Sequence, residues 1–359
     1  MLLKNALLNN NIVDIEISGK KINAVGKIDN FSGEIIDLKG LSVYPGLIDV
    51  HAHGCMGYDT MDAKYLLEMS LYQAKNGITS WLPTTMTMPF EDIKRVTDED
   101  IEKIDGAEIP GFHLEGPYIA KEYKGAQNEE YIKNPDLEEI KQCKNVLMIT
   151  LAPELEGSGK FIKECGCTVS LGHTAADYET GISAFNAGAK CLTHTFNAMP
   201  PFHHRNPSVI GAAIDEDAYV QVICDGFHLH RSAVIALYRI FGSERVVLIS
   251  DSVRATGIDD GEYEFGGQKI IVKNKTAKLP DGTIAGSTTN LFGCVKKAVE
   301  FGISKSEAFK MASYTPARLL GLESKGQIKA GSDADIIAVD DNLNLILSMA
   351  GGKIYKNLL

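Results

Sequence analysis

The feature that most constrains the fold is a regular alternation of short β-type runs with longer stretches of helical character. It extends from residue 44 to about residue 320 of the 359-residue chain. Stretches such as DAKYLLEMSLYQAKNG and DYETGISAFNAGAK carry apolar residues at helical spacing. This rhythm predicts consecutive βα units. The eight β runs are PGLIDVHAH, GITSWLPTT, IPGFHLEG, VLMITLAPE, CTVSLGHT, KCLTHTFNAM, YVQVICDG and RVVLISD.

Most of these runs are nearly continuous in apolar and β-branched residues, which is typical of parallel strands covered on both faces. Eight βα units in about 250 residues or more is the count of a (β/α)8 barrel. We therefore predict an α/β protein built on a TIM-type (β/α)8 barrel.

Both ends of the chain have a different pattern, with short β runs between Gly, Asp and Asn turns and no helical period. We expect residues 1–43 and 326–359 to form one small β-sandwich domain and residues 44–325 to form the catalytic barrel domain. A β-hairpin insertion is predicted near residues 261–280, where it would form part of a cap over the barrel mouth.

Charge and composition argue against several classes of partner. The net charge of -11 disfavours nucleic acid, because phosphate backbones are bound by clustered Lys and Arg. No apolar run approaches the roughly 18–20 residues of a membrane span, and the N-terminal residues lack the pattern of a signal peptide. The seven cysteines follow no metal-ligand spacing, so we interpret them as reduced thiols. We expect a cytoplasmic protein that binds neither nucleic acid nor membrane.

Polar residues of metal-binding type interrupt the β runs at their C-terminal ends, which converge on one mouth of a (β/α)8 barrel. Neutral imidazole and carboxylate suit divalent zinc or iron, and the absence of Cys among them argues against a structural zinc site. His51 and His53 are two residues apart, so an extended strand points both side chains to the same face. The full set is His51, His53, Glu115, His173, His194 and Asp251.

Each of these residues also has a plain structural interpretation. A single strand-end histidine, such as His113, is more often a hydrogen-bonded structural residue. Asp251 alone could be a helix N-cap, and Arg205 alone could pair with a surface carboxylate. The coincidence of six metal-type residues on five of the eight predicted strands favours a metal site.

A series of motifs along the chain resembles one known family. The chain contains PGLIDVHAHG, FHLEGPYI, SLGHT, THTFNAM, DGFHL, SDSVRATG and AGST in this order. In this order they resemble the N-acetylglucosamine-6-phosphate deacetylases of the amidohydrolase superfamily, and the similarity extends over essentially the whole chain. HLEGP followed by LGHT and THTFNAM is specific to this family, whereas the HxH pair marks only the superfamily.

The resemblance implies a role for each matching residue. Glu115, His173 and His194 match the ligands of the catalytic metal. His51 and His53 match a second metal site that only some members have. The aspartate of SDSVRA, Asp251, matches the general acid/base, although the family usually has a TDAMRA-type segment here.

The resemblance also implies a substrate site and a partner. In relatives, part of the phosphate site comes from the neighbouring subunit, which implies a homodimer. Gln127 departs from the family, because some relatives have a histidine at this position, and glutamine can hydrogen-bond but cannot carry charge. The residues matched to the substrate are Gln127, Asn197, Ala198, Arg205, His228, Ala285 and Ser287.

The implied reaction is metal-dependent hydrolysis of the acetamide of N-acetyl-D-glucosamine 6-phosphate to D-glucosamine 6-phosphate and acetate. It belongs to amino-sugar catabolism and cell-wall sugar recycling. The implied cofactors are two divalent metal ions per chain, Zn²⁺ or Fe²⁺, with Mn²⁺ or Co²⁺ as alternatives. Two other hypotheses stay open: a deacetylase of another N-acetylated amino-sugar phosphate, and a barrel that serves as a non-catalytic scaffold.

Overall fold

The computed structural model describes residues 1–359 and contains 22 strands and ten α-helices. The strands are β1 Leu2–Leu8, β2 Asn11–Ser18, β3 Lys21–Gly26, β4 Ile35–Asp37, β5 Ser42–Pro45, β6 Leu47–Ala52, β7 Gly54–Cys55, β8 Tyr58–Asp59, β9 Ile78–Thr85, β10 Phe112–Glu115, β11 Val146–Leu151, β12 Thr168–Leu171, β13 Cys191–Leu192, β14 Tyr219–Ile223, β15 Val246–Ile249, β16 Gly261–Phe265, β17 Gln268–Lys273, β18 Thr276–Lys278, β19 Ile284–Ser287, β20 Ile336–Val339, β21 Leu345–Ala350 and β22 Lys353–Asn357. The helices are α1 Leu66–Lys75, α2 Phe90–Thr97, α3 Leu137–Ile140, α4 Ser158–Glu164, α5 Tyr178–Ala187, α6 Ser208–Asp215, α7 Arg231–Phe241, α8 Leu291–Glu300, α9 Lys305–Met311 and α10 Tyr314–Leu320.

Eight parallel strands form the barrel, in the order β6, β9, β10, β11, β12, β13, β14 and β15. The segment after β15 pairs with β6, because the Asp251 N–H donates to His51 O at 2.9 Å and the His53 N–H donates to Ser252 O at 2.8 Å. The predicted (β/α)8 barrel is therefore confirmed, and its strands coincide with the eight predicted runs. In the sixth run the strand is only two residues long, because the backbone turns at His194, where φ is +27°.

Burial explains why these runs are so apolar. Every residue of β6 and of β9 is buried, as expected for strands with side chains inside the barrel on one face and helices on the other. Helix α7 shows the complementary pattern, since its buried residues Val234, Leu237 and Phe241 recur at helical spacing on one face. These surfaces meet in a core cluster of 57 buried residues.

The two ends of the chain share a second sheet, which we call the terminal sheet, formed by β1–β5 and β20–β22. Its path is β22, β21, β20, β5, β1, β2 and β3, with β4 paired to β1. A separate cluster of 12 buried apolar residues packs within it. This sheet accounts for the β-sandwich part of the predicted fold class, while the domain boundaries themselves stay a prediction.

A four-stranded antiparallel sheet, which we call the cap sheet, is formed by β16–β19 between the last barrel strand and α8. It has its own buried cluster, which includes Phe265, Ile270 and Val272. Its Ser287 N–H donates to the backbone oxygen of Asp251 at 2.7 Å. The cap sheet is therefore attached directly to the barrel mouth.

Across the whole structure, none of the helices combines the length and apolar character needed to cross a membrane.

Candidate metal centre and active site

The first pair of predicted ligands lies at the end of the first barrel strand. His51 is in β6 and His53 follows it directly, and both side chains are essentially fully buried. Their Nε2 atoms are 3.2 Å apart. The two-residue spacing in an extended strand therefore directs both imidazoles to one point, as predicted.

The carboxylate of Glu115, the last residue of β10, lies between four histidines from three different chain segments. Its Oε1 atom is 3.2 Å from the Nε2 atoms of His51 and His173 and 3.0 Å from that of His194. Its Oε2 atom is 3.2 Å from Nε2 of His53. We call these five residues, His51, His53, Glu115, His173 and His194, the metal centre.

His173 and His194 approach Glu115 from the segments that follow β12 and β13. Their Nε2 atoms are 3.0 Å apart. Their backbones lie in the left-handed region, with φ of +47° and +27°, and Asp251 has φ of +48°. Such conformations cost about 1–3 kcal/mol each in non-glycine residues and concentrate at functional sites.

Hydrogen bonds outside the centre fix the orientation of three imidazoles. In each case Nδ1 faces an oxygen, so Nδ1 carries the hydrogen and the Nε2 lone pair points into the centre. For His194, by contrast, Nδ1 has no hydrogen-bond partner. The three contacts are His51 to Gln221 Oε1 at 3.1 Å, His53 to Thr84 O at 3.1 Å and His173 to Tyr123 O at 2.8 Å.

This set of donors fits divalent metal ions. Two groups of ligand atoms, each within 4.8 Å of one another, can be formed: His51, His53 and Glu115, and Glu115, His173 and His194. When the imidazoles are neutral, as metal ligands are, their Nε2 lone pairs face one another and a carboxylate at 3.0–3.2 Å, which is favourable only with a positive charge between them. The nitrogen and oxygen donors match zinc and first-row divalent ions.

The two buried carboxylates of the site attract positive charge. Burial would raise the pKa of Glu115, but the charges of His51 and His173 and the hydrogen bonds from His173 and His194 hold it well below its usual range. Burial would likewise raise the pKa of Asp251, and the hydrogen bond from His53 lowers it instead. Burial opposes charge on His53 too, yet the hydrogen bonds and charges of Asp251 and Glu115 raise its pKa to about 10. A cation at this point is therefore strongly favoured.

Asp251 lies beside the metal centre, at the C-terminal end of the last barrel strand. Its Oδ1 atom is 3.4 Å from Nε2 of His53 and 3.5 Å from Nε2 of His51. The residue is 7% exposed and lines the cavity described next. It can therefore reach both the centre and a molecule in the cavity.

A cavity of about 380 Å³ opens above the metal centre, within the size range of small-molecule sites. Four of the residues matched to the substrate line it: Asn197, Ala198, His228 and Gln127. Gln127 in addition hydrogen-bonds Glu115, with 2.6 Å between Nε2 and Oε2.

Three predicted substrate residues do not line this cavity. In strand β19, Ile284 and Gly286 face it, whereas Ala285 and Ser287 are buried in the alternate positions. The backbone N–H of Ser287 instead holds the segment that contains Asp251, through its hydrogen bond to the backbone oxygen of Asp251. Arg205 is exposed on the loop between β13 and α6, where it forms no ion pair with a carboxylate of its own chain.

Three residues that the sequence interpretation did not single out support the site. The ring of Phe265, from the cap sheet, lies edge-on to His53 with centroids 5.1 Å apart and shields it. Gln221 orients His51. Asp225 pairs with His228, and as the first residue of the DGFHL motif it could have been found from the sequence.

A (β/α)8 barrel with a buried histidine and carboxylate cluster at its mouth defines a metal-dependent hydrolase of the amidohydrolase class. The sequence profile of the Amidohydrolase family matches residues 42–355. The chain belongs to this family and, within it, to the N-acetylglucosamine-6-phosphate deacetylases, as the following similarities show.

The N-acetylglucosamine-6-phosphate deacetylase of Bacillus subtilis (strain 168) is 38% identical over 330 residues, which are 86% of this chain and 83% of the relative. The N-acetylgalactosamine-6-phosphate deacetylase of Escherichia coli O157:H7 is 36% identical over 318 residues, 84% of each chain. The crystal structure of N-acetylglucosamine-6-phosphate deacetylase from Pasteurella multocida superposes with a TM-score of 0.93 at 30% identity, and 99% of each chain is covered.

Proposed function

We propose that this protein hydrolyses the acetamide of N-acetyl-D-glucosamine 6-phosphate to D-glucosamine 6-phosphate and acetate. The observation that carries the proposal is the position of Asp251, whose Oδ1 lies within 3.5 Å of two histidines of the metal centre and at the floor of a cavity. The names of the similar proteins support the substrate class.

We propose two divalent ions per chain, Zn²⁺ or Fe²⁺, with Mn²⁺ or Co²⁺ as alternatives. Glu115, His173 and His194 would hold one ion, and His51, His53 and Glu115 the other. When bound, such ions lower the pKa of a coordinated water to about 7 and polarise an amide carbonyl.

Asp251 is the general acid/base in this proposal. Its lowered pKa keeps it ionised at neutral pH, so that it can accept a proton from the attacking water. It then delivers this proton to the amine nitrogen, which otherwise leaves poorly. Water attacks directly, so no covalent intermediate with the protein is needed.

The remaining predicted residues bind the sugar phosphate. His228 and Asn197 line the cavity and offer donors to its oxygens. The exposed guanidinium of Arg205 suits bidentate binding of the phosphate. We propose that it does so in a homodimer, in which the neighbouring subunit completes the phosphate site.

A second candidate substrate is N-acetyl-D-galactosamine 6-phosphate, because the Escherichia coli relative that carries this name is nearly as similar as the glucosamine enzymes. The two sugars differ only in the configuration of one ring hydroxyl. The intact metal centre and Asp251 speak against a non-catalytic scaffold.

The test is acetate release from both sugar phosphates and from unphosphorylated N-acetylglucosamine, with metal-loaded and chelator-treated protein. We expect fast release from the glucosamine phosphate only, and only with metal. No release from any substrate by the loaded protein would overturn the proposal.

We also propose that the reaction takes place in the cytoplasm, which is consistent with seven free thiols.

A further inference from the structure

Gln127 is unusual among the cavity residues because its whole side-chain amide is bonded to protein. The residue is 2% exposed. Its Oε1 atom accepts the backbone N–H of Thr87 at 2.7 Å, and its Nε2 atom donates to Glu115 Oε2 at 2.6 Å. The sulfur of Met86, a weak acceptor, lies 3.8 Å from the same Nε2 atom. Both polar atoms of the amide are therefore engaged by protein groups.

The chemistry of the partners determines which way this amide points. A backbone N–H can only donate, so it must face the amide oxygen. The other end of the amide lies 2.6 Å from the carboxylate oxygen Oε2 of Glu115, which accepts, so the NH₂ group faces it. A flipped amide would place donor against donor and acceptor against acceptor.

The loop that carries Gln127 is held from both sides. The backbone N–H of Gln127 donates to Lys124 O at 2.9 Å. From the cap sheet, the Gln268 amide donates to the backbone oxygen of Ala126 at 2.6 Å. The Gln127 amide is therefore positioned before any ligand arrives, as an effective supporting residue must be.

The bond falls on one particular oxygen of Glu115. Oε2 is the oxygen next to His53, at 3.2 Å, whereas Oε1 faces His51, His173 and His194. A carboxylate oxygen has two lone pairs, so Oε2 can accept from Gln127 and still bind a cation. Partners of this kind orient metal ligands and change affinity by about 10–100-fold when removed.

We propose that Gln127 is a positioning residue that holds Oε2 of Glu115 toward His53, and so sets the affinity of the metal position formed by His51, His53 and Glu115. This inference rests on the proposed metal-dependent function. It assigns Gln127 to the metal centre rather than to direct contact with the sugar.

The experiment compares wild type with Gln127→Met, Gln127→His and a control, Gln73→Met. Methionine has nearly the shape of glutamine but lacks the donor. A neutral imidazole offers one acceptor and one donor, like the amide, and can replace both bonds. Gln73 is an equally buried glutamine in helix α1, remote from the metal centre.

Circular dichroism first shows that each protein is folded. The number of metal ions per chain is then measured during dialysis against increasing concentrations of chelator. The second measurement is the rise in Tm when Zn²⁺ is added. Metal that binds the folded state raises Tm according to its affinity. We expect Q127M to lose one ion at about 10–100-fold lower chelator and to retain the other. Q127H and Q73M should both resemble wild type.

Equal metal affinity in Q127M and wild type would overturn the inference. An equal loss of metal affinity in Q127M and Q127H would also overturn it. A lower Tm of metal-free Q127M with an unchanged metal-induced rise would make the role merely structural and would also overturn it. A wild-type protein that binds no metal would instead refute the proposed function.

Discussion

The carboxylate of Asp225 accepts a 2.7 Å hydrogen bond from Nδ1 of His228, with both side chains at most 6% exposed. Burial by itself would lower the pKa of His228, but the bond and the charge of Asp225 outweigh it and raise that pKa. Burial would raise the pKa of Asp225, and His228 lowers it instead. The pair therefore favours the doubly charged form.

The sign of the pH dependence follows from these directions. The raised pKa of His228 adds stability that is complete below its unfolded value of 6.5 and is lost as pH rises through the folded pKa. The lowered pKa of Asp225 adds stability above 3.8 that is lost as pH falls through its folded pKa. Between these limits His228 is charged, and in this form it can offer the substrate the donor that we propose above.

Asp225→Asn should lower the pKa of His228, because the partner loses its charge while keeping an acceptor. We expect KM for the sugar phosphate to rise at a lower pH than in wild type, with kcat changed much less. KM measured from pH 5 to 9 checks this, with the exposed Asp215→Asn as control. Superimposable KM profiles would contradict the assigned role of His228.

Asp251→Asn should remove the proton acceptor and leave the metal ligands in place. We expect turnover to fall by about 10²–10⁴-fold, the usual contribution of a general acid/base. Elemental analysis should find nearly normal metal content. Loss of bound metal in this variant would mean that Asp251 is a ligand rather than the acid/base.

Replacing both His51 and His53 with Ala should remove one metal ion per chain and weaken catalysis. The ion held by Glu115, His173 and His194 should stay, because only Glu115 is shared between the two groups. Metal counting and acetate release measure the outcome. The exposed pair His203 and His204, changed to Ala together, is the matched control and should behave as wild type.

Arg205→Ala should raise KM for the 6-phosphate substrate and leave any turnover of the unphosphorylated sugar unchanged, because the guanidinium is proposed to contact only the phosphate. The control is Arg95→Ala, an exposed arginine paired with Asp92 on helix α2. Sedimentation of the wild-type protein tests the homodimer. Equal KM values in R205A and wild type would exclude the phosphate role.

Lys325 joins the barrel to the terminal sheet through ion pairs with Glu108, which is exposed, and with Asp335, which is buried. Its Nζ atom is 2.8 Å from Asp335 and from Glu108, and the side chain is 4% exposed. Lys325→Met leaves the Asp335 carboxylate buried without a counter-charge, which should lower the free energy of unfolding by about 3–5 kcal/mol. Denaturant unfolding measures this. Lys353→Met, which removes an exposed pair with Asp105, should change little.

Much of the architecture could be predicted from local patterns. Continuous apolar runs with polar ends indicate buried parallel strands, and such strands in a barrel bring all their C-terminal ends to one mouth. The grouping of His51, His53, Glu115, His173 and His194 follows from this geometry without knowledge of any loop. Local patterns therefore predict the barrel and the grouping of these five side chains at its mouth, where they form the candidate metal centre.

The paths of the loops, and the choice of which side chains of β19 point into the cavity, depend on the tertiary structure. Gln127 meets Glu115, and Phe265 meets His53, because the cap sheet and a long loop fold back over the mouth. In β19 the register directs Ile284 rather than Ala285 into the cavity. These contacts form by packing between residues that are far apart in the chain. The periodicity of a local sequence segment does not predict the position that a loop takes in the folded protein.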